Sequence, residues 1–239
     1  MKITDIGIIL SSKKLQEKLL LIKIFSKENG ICAGVARSPS PKKIADYQVG
    51  NIVKFQRFSR LSDQLGTLTC ECTKSYQFHI MNSKLKLHAF NSMSALILSS
   101  FIEYEPHIVS YSAAEKFLSH LEEKEFSWLK FCLFELELLN DAGYGLELEA
   151  CAVTGKSADL AYVSPKSGRA VSKEGAKGYE HLLLKLPSFI LNEVEPKDSA
   201  EIEQALDLSE YFFERYIWKQ RNNADVLNVR AVLRSIISI

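Results

Sequence analysis

Along this 239-residue chain the spacing of apolar side chains reads as strands over residues 1–77 and turns helical from about Lys84, and that change limits the folds open to it. Before it, short β-branched and apolar runs follow one another with turn signals between them. Ile3–Leu10 is the first run, Glu17–Phe25 the second, and Lys27-Glu-Asn-Gly30 joins the second to Ile31–Ala36. Asn-Gly at such a point favours a tight hairpin. Val49-Gly50 opens the run Ile52–Phe58, in which Val53, Phe55 and Arg57 share one face, and Gly66–Lys74 alternates Leu68, Cys70 and Cys72 against Thr67, Thr69 and Glu71. Period-two alternation is the mark of a half-buried strand. Five such strands in so short a segment predict a small closed barrel, either an OB-fold or an SH3-like barrel.

From about Lys84 the period becomes helical. Leu87, Phe90, Ser94, Ile97 and Phe101 follow three–four spacing. A second helix is expected from Glu105-Pro106, with Ile108, Tyr111, Phe117 (or Leu118) and Leu121 inward, and a third over Glu125–Leu139, apolar around much of its circumference. Gly143 and Gly145 are stop signals. Leu146 and Leu148, alternating with Glu147 and Glu149, predict a short strand. The turn Cys151–Gly155, the run Leu160–Val163 and the turn Ser164–Gly168 then form a hairpin-like knuckle between helical blocks. Beyond it, Asp198 with Glu201 forms a capping-box pattern at the head of a long helix, and Ala224–Ile236 offers one more.

The residues of the knuckle carry a resemblance. Gly143-Tyr-Gly-Leu146, Cys151-Ala-Val-Thr-Gly155 and Tyr162-Val-Ser-Pro-Lys-Ser-Gly-Arg-Ala-Val171, in that order, resemble the bacterial RecO family of recombination mediators. Gly7-Ile-Ile-Leu10, Gly34-Val-Ala-Arg37 and Leu65-Gly-Thr67 fit the same pattern, so the resemblance covers nearly the whole chain. It favours the OB-fold and implies an α+β protein. The expected segments are an OB-fold DNA-binding barrel (1–77), a first helical part (78–145), a degenerate zinc-knuckle hairpin (146–175) and a C-terminal helical part (176–239). The resemblance also implies a cytoplasmic, non-enzymatic protein that binds single- and double-stranded DNA and anneals complementary strands. Such a protein assists RecA loading on strands coated with single-stranded DNA-binding protein, together with RecR and, in some pathways, RecF.

One departure from the family stands out. Many members carry two Cys-x-x-Cys pairs at the knuckle and bind zinc there. Here Cys151 is the only cysteine, Thr154 stands where its partner would be, and no cysteine follows. Structural zinc needs four Cys or His ligands, so no metal and no cofactor are expected. The five cysteines are odd in number and scattered, as suits reduced thiols.

The formal net charge is only +1, but it is unevenly placed. Residues 1–77 hold 13 Lys/Arg against 6 Asp/Glu, whereas the rest of the chain is mildly acidic. A basic module on an acidic scaffold suits a polyanion partner. The loop Ala36–Lys43 places Arg37, Lys42 and Lys43 on a segment stiffened by Pro39 and Pro41, and Lys54, Arg57 and Arg60 follow on or after a later strand. These six are the candidate DNA-binding cations, because each neutralised phosphate releases counterions. Phe55 and Phe58 are candidates for base stacking, with strand spacing sending one of them to the core. For the acidic tail of the single-stranded DNA-binding protein, the family places the contact on the helix before Gly143. Basic residues of some members fall there at Cys132 and Leu133, and Lys130 beside Trp128 is the nearest cation.

Enzymatic motifs are absent: there is no P-loop, GxGxxG, HExxH or GxSxG. The pair Glu135 and Glu137 cannot share a helix face, being two residues apart. Asp5 interrupts the apolar start as no signal peptide would allow, and no uncharged apolar run is long enough to span a membrane. The rival reading from the same pattern is an RNA-binding or ribosome-associated OB-fold protein with a helical interaction domain.

Overall fold

The structure, a computed structural model, describes residues 1–17, 19–37, 43–61, 64–220 and 224–237. The chain forms two compact units, Met1–Lys124 and Glu125–Ile239.

In the first unit the barrel closes because its first strand is long enough to serve two neighbours. β1 (Lys2–Gln16) has 15 residues, against eight each in β2 (Leu19–Ser26), β3 (Gly30–Arg37) and β4 (Asn51–Phe58). Its first half pairs with β4, from Lys2↔Phe58 to Ile8↔Ile52, and from Gly7 onward it pairs with β2. A register irregularity between Ile9 and Ser11 follows directly on this hand-over, and a second lies between Lys14 and Gln16. β5 (Gly66–Ser75) lies antiparallel to β4 and meets β3 in parallel. The ring β1-β2-β3-β5-β4 is that of an OB-fold, which settles the choice that alternation left open.

The β3–β5 seam is short: among the described residues, Gly34↔Gly66 and Val35↔Thr67 pair across it. Both glycines are needed. A Cβ on Gly34 would stand 2.9 Å from Leu68 Cβ, and one on Gly66 would stand 2.6 Å from the Phe58 carbonyl oxygen. The Asn-Gly turn expected between β2 and β3 forms at Lys27–Gly30 with Gly30 at φ 64°. The Asp5 carboxylate organises it, accepting from the Ser26 hydroxyl, the Glu28 N–H (2.9 Å) and the Asn29 side-chain amide (2.9 Å).

Three helices complete this unit: α1 (Gln77–Met81), α2 (Lys84–Ser100) and α3 (Ile108–His120). Phe25 at the end of β2 lies 6.1 Å from the Phe101 ring and 5.8 Å from the Tyr111 ring. Ile108, expected inward, is exposed: it opens α3, and the apolar face begins at Tyr111. The buried Lys86 ammonium donates to the carbonyls of Leu121 (2.8 Å) and Glu123 (2.5 Å), where the last turn of α3 leaves acceptors unpaired.

The second unit is built on α4 (Trp128–Leu139), which ends in a wide turn over Asn140–Tyr144 with Gly143 at φ 86°. The knuckle holds β6 (Leu160–Val163) and β7 (Ala170–Ser172), with β8 (Leu184–Lys185) on the other edge of β6. The strand expected at Leu146–Glu149 reduces to a single bridge, Glu147↔Arg169: Glu147 bonds to the Gly168 carbonyl and the Ala170 N–H, and the Ala170 carbonyl accepts from the Ala152 N–H instead of continuing the pairing. α5 (Ser188–Asn192), α6 (Ser199–Tyr216) and α7 (Ala224–Ile237) follow. Asp198 caps α6 by accepting the Glu201 N–H at 2.9 Å, and Glu201 returns a bond to the Lys197 N–H at 2.9 Å, one residue before the position the capping box predicts.

Sequence reasoning passed over the centre of this unit. Glu135 on α4, set aside above as half of an unpaired acidic couple, is fully buried at 0% exposure. It accepts from Arg230 on α7 (2.5 Å) and from the Ser209 hydroxyl on α6. Arg230 also reaches Glu210 at 2.8 Å, and Arg234 reaches Glu210 at 3.1 Å and Asp207 at 3.0 Å. A long-range partner 95 positions away leaves no local pattern to read.

Candidate nucleic-acid interface

On a closed barrel, alternation divides each strand between an inside and an outside. Along β4, Lys54, Gln56 and Phe58 face out, whereas Val53, Phe55 and Arg57 face in. The shared face of Val53, Phe55 and Arg57 is therefore the barrel interior, and Phe55, at 1% exposure, belongs to the core. Phe58 is 59% exposed.

Arg57 does not face solvent. It is 1% exposed, and its guanidinium donates to the Ala33 carbonyl (2.8 Å), the Ser59 hydroxyl (3.0 Å) and the Gln64 carbonyl (2.6 Å). It lies 4.9 Å from the Tyr104 ring centroid. With its planar fork spent on internal acceptors, it ties β3 to the β4–β5 loop, so the expectation that it contacts DNA is corrected.

The other described cations stay in water. Arg37 ends β3, Lys43 precedes a short 3-10 turn at Ile44–Tyr47, Lys54 lies mid-strand, and Arg60 follows β4, all exposed. Lys42 lies outside the described residues. Among the described residues, none of these four has an ion-pair partner. Lys54 stands opposite Glu71 in the β4–β5 register, which offsets part of its field. Arg37 and Arg60 lie on opposite sides of the cross-strand row Val35–Thr67–Phe58, each two residues from it.

Trp128 and Lys130 open α4 and are half-buried. The helix N-terminus is already capped. The Ser127 hydroxyl accepts the Lys130 N–H at 3.2 Å, and the Glu195 carboxylate accepts the N–H groups of Trp128 (3.1 Å) and Leu129 (3.4 Å). Trp128 packs edge-on against Phe126 and Phe131, with centroids at 5.1 and 6.0 Å.

In the knuckle, Cys151 is 1% exposed and its Sγ collects four donors: the N–H groups of Val153 (3.4 Å), Thr154 (3.4 Å) and Ser172 (3.2 Å), and the Ser172 hydroxyl (3.3 Å). Burial pushes the thiol up, but the bonds from Ser172 and Thr154 outweigh it and bring its pKa down to about 6. This donor set does not fit zinc. The Ser172 hydroxyl donates its hydrogen bond to the sulfur, a Cβ on Gly175 would already stand 3.0 Å from it, and among the described residues no group of His, Cys, Asp and Glu could hold a metal. Hydrogen bonds to one sulfur hold this knuckle, together with the packing of Val171 and Ala176.

The sequence matches the family description "Recombination protein O N terminal" over residues 1–76 and "Recombination protein O C terminal" over residues 56–224. The chain belongs to the RecO family. Curated relatives that it resembles over nearly their whole length are named DNA repair protein RecO. That of Rickettsia bellii (strain OSU 85-389) is 41% identical over 229 residues, covering 96% of this chain and 95% of the relative. That of Rickettsia typhi is 41% identical over 226 residues, covering 95% and 94%. That of Rickettsia felis is 40% identical over 229 residues, covering 96% of each. Within the RecO frame, the barrel is the N-terminal segment and carries the unpaired cations. Among the described residues, no helix is long and apolar enough to cross a membrane.

Proposed function

We propose that this RecO-family protein acts in DNA repair and recombination by binding single- and double-stranded DNA and annealing complementary strands. The observation that carries this reading is the set of exposed cations on the barrel that, among the described residues, form no ion pair: Arg37, Lys43, Lys54 and Arg60. Together with Lys42 they neutralise phosphates of two strands, lower the repulsion between them and let pairing proceed. No bond is made or broken, and the protein is not an enzyme in this reading. The curated relatives named for DNA repair support the pathway. The same resemblance extends the proposal to a cytoplasmic mediator that helps load RecA on strands coated with single-stranded DNA-binding protein, with RecR and, in some pathways, RecF.

Lys130 and Trp128 are proposed to receive the acidic tail of the single-stranded DNA-binding protein. Glu195 already occupies the backbone donors of the first turn, so this contact rests on the two side chains rather than on the helix N-terminus.

The test is annealing of two complementary labelled oligonucleotides coated with the cognate single-stranded DNA-binding protein, at two salt concentrations. Wild type is compared with an Arg37→Ala, Lys43→Ala, Arg60→Ala triple variant. Fast annealing that salt weakens and the variant loses supports function and site together. No annealing by wild type refutes the reading and brings an RNA-binding role forward.

A further inference from the structure

We propose that the outer face of the barrel carries a single-strand path on which Phe58 stacks an unpaired base, so that the barrel distinguishes single strands from duplex. This inference rests on the DNA-binding reading above and adds to it a residue that reads bases rather than charge.

The strand registers place Phe58 in one continuous row around the ring. Lys2 pairs with Phe58, Phe58 with Thr67, Thr67 with Val35, Val35 with Leu21, and Leu21 with Lys13. Paired residues share a face, and this face is the outside: Lys2, Phe58, Thr67 and Lys13 are exposed, and Val35 and Leu21 half-buried. The row is apolar in its middle and cationic at both ends, and it contains no acid. A lone exposed phenylalanine would mean little. This one lies in a surface row with a Lys ammonium at either end and with Arg37 and Arg60 to its sides. That is the composition of a single-strand groove, in which cations track phosphates and an aromatic face takes a base.

The ring also sits on fixed backbone. The Phe58 carbonyl accepts from the Thr67 hydroxyl (3.4 Å), and the next residue, Ser59, donates its N–H to the Met1 carbonyl (3.0 Å). The loop beyond is held by Arg57 through Ser59 and Gln64. Among the described residues no other ring packs on Phe58, so its face is available. A duplex keeps its base faces inside its own stack and offers Phe58 nothing. A single strand can turn one base onto it.

The test uses the full chain with Phe58→Ala and Phe58→Trp, binding a single-stranded oligonucleotide and a duplex at two salt concentrations. Phe58→Ala should lose roughly 5- to 150-fold in single-strand affinity, the range for one stacked base, with duplex affinity within about twofold and the salt slope unchanged. Phe58→Trp should keep single-strand affinity and show added fluorescence that single strands quench and duplex does not, which keeps the test informative should the alanine variant fold poorly. Equal losses on both DNAs, no loss on either, or an unquenched tryptophan would overturn the stacking role while leaving the DNA-binding function standing. Wild type that binds neither DNA overturns both.

Discussion

Replacing Arg57 by methionine separates a cation that builds the barrel from one that holds DNA. Methionine keeps much of the apolar stem and removes every donor. The Ala33 and Gln64 carbonyls and the Ser59 hydroxyl then lose the guanidinium that reaches them at 2.6 to 3.0 Å. Each buried acceptor left without a donor costs about 1–3 kcal/mol, and the lost contact with Tyr104 adds up to about 1 kcal/mol. Relief from burying a charge offsets part of this, so the expected loss is about 3–5 kcal/mol. Urea titration of the folded chain measures it. The second readout is the salt dependence of DNA affinity. A residue that neutralises one phosphate contributes about 0.9 to the log–log slope, so an internal Arg57 leaves the slope unchanged. Arg57→Lys sharpens the contrast. It keeps the charge but not the fork, and should lose nearly as much stability as methionine. A methionine variant within about 1 kcal/mol of wild type, with the slope lowered by nearly one unit, would refute the internal role.

Two further perturbations follow from groups outside the barrel. Arg230→Met strands the buried Glu135 carboxylate and should cost about 3–5 kcal/mol by urea titration, while the Glu135→Leu, Arg230→Met double variant recovers most of it; a double variant no better than the single would show that the pair is not the unit of stability. Cys151 should give thiolate ultraviolet absorbance on titration through pH about 6, well below the ordinary 9.0, and Cys151→Ser should abolish that step. Because the folded pKa is the lower one, the stability this sulfur adds is complete above about 9 and is lost as pH falls through about 6; a knuckle whose stability is flat across that window would exclude the thiolate.

Much of the fold was legible because it rests on local pattern. Alternation from Ile3 to Lys74 marked the strands, and Asn29-Gly30 marked the hairpin. Asp198 sits at the helix start where capping chemistry puts it. What stayed hidden was long-range. The register of β3 with β5, which makes the barrel an OB-fold, joins residues about thirty apart and leaves no periodic trace. The partner of Glu135 lies on the last helix. At the candidate interface, charge counting gave Arg57 the same weight as Arg37, Lys42, Lys43, Lys54 and Arg60. The signal that separated it was already present: Arg57 shares alternation with Val53 and Phe55, and residues on a core face are inside whatever their charge.

That distinction gives ring closure a chemical meaning. The residue pairs Gly34↔Gly66 and Val35↔Thr67 turn a curved sheet into a surface with two sides, and parity of position then decides the role of each β4 residue from Val53 on. Even positions from Lys54 to Phe58 meet solvent, and odd positions from Val53 to Arg57 fill the interior. A single inserted residue early in β4 would exchange the sets. It would put a phenylalanine and an arginine that hold the barrel together into water, and a lysine and a phenylalanine meant for water into the core.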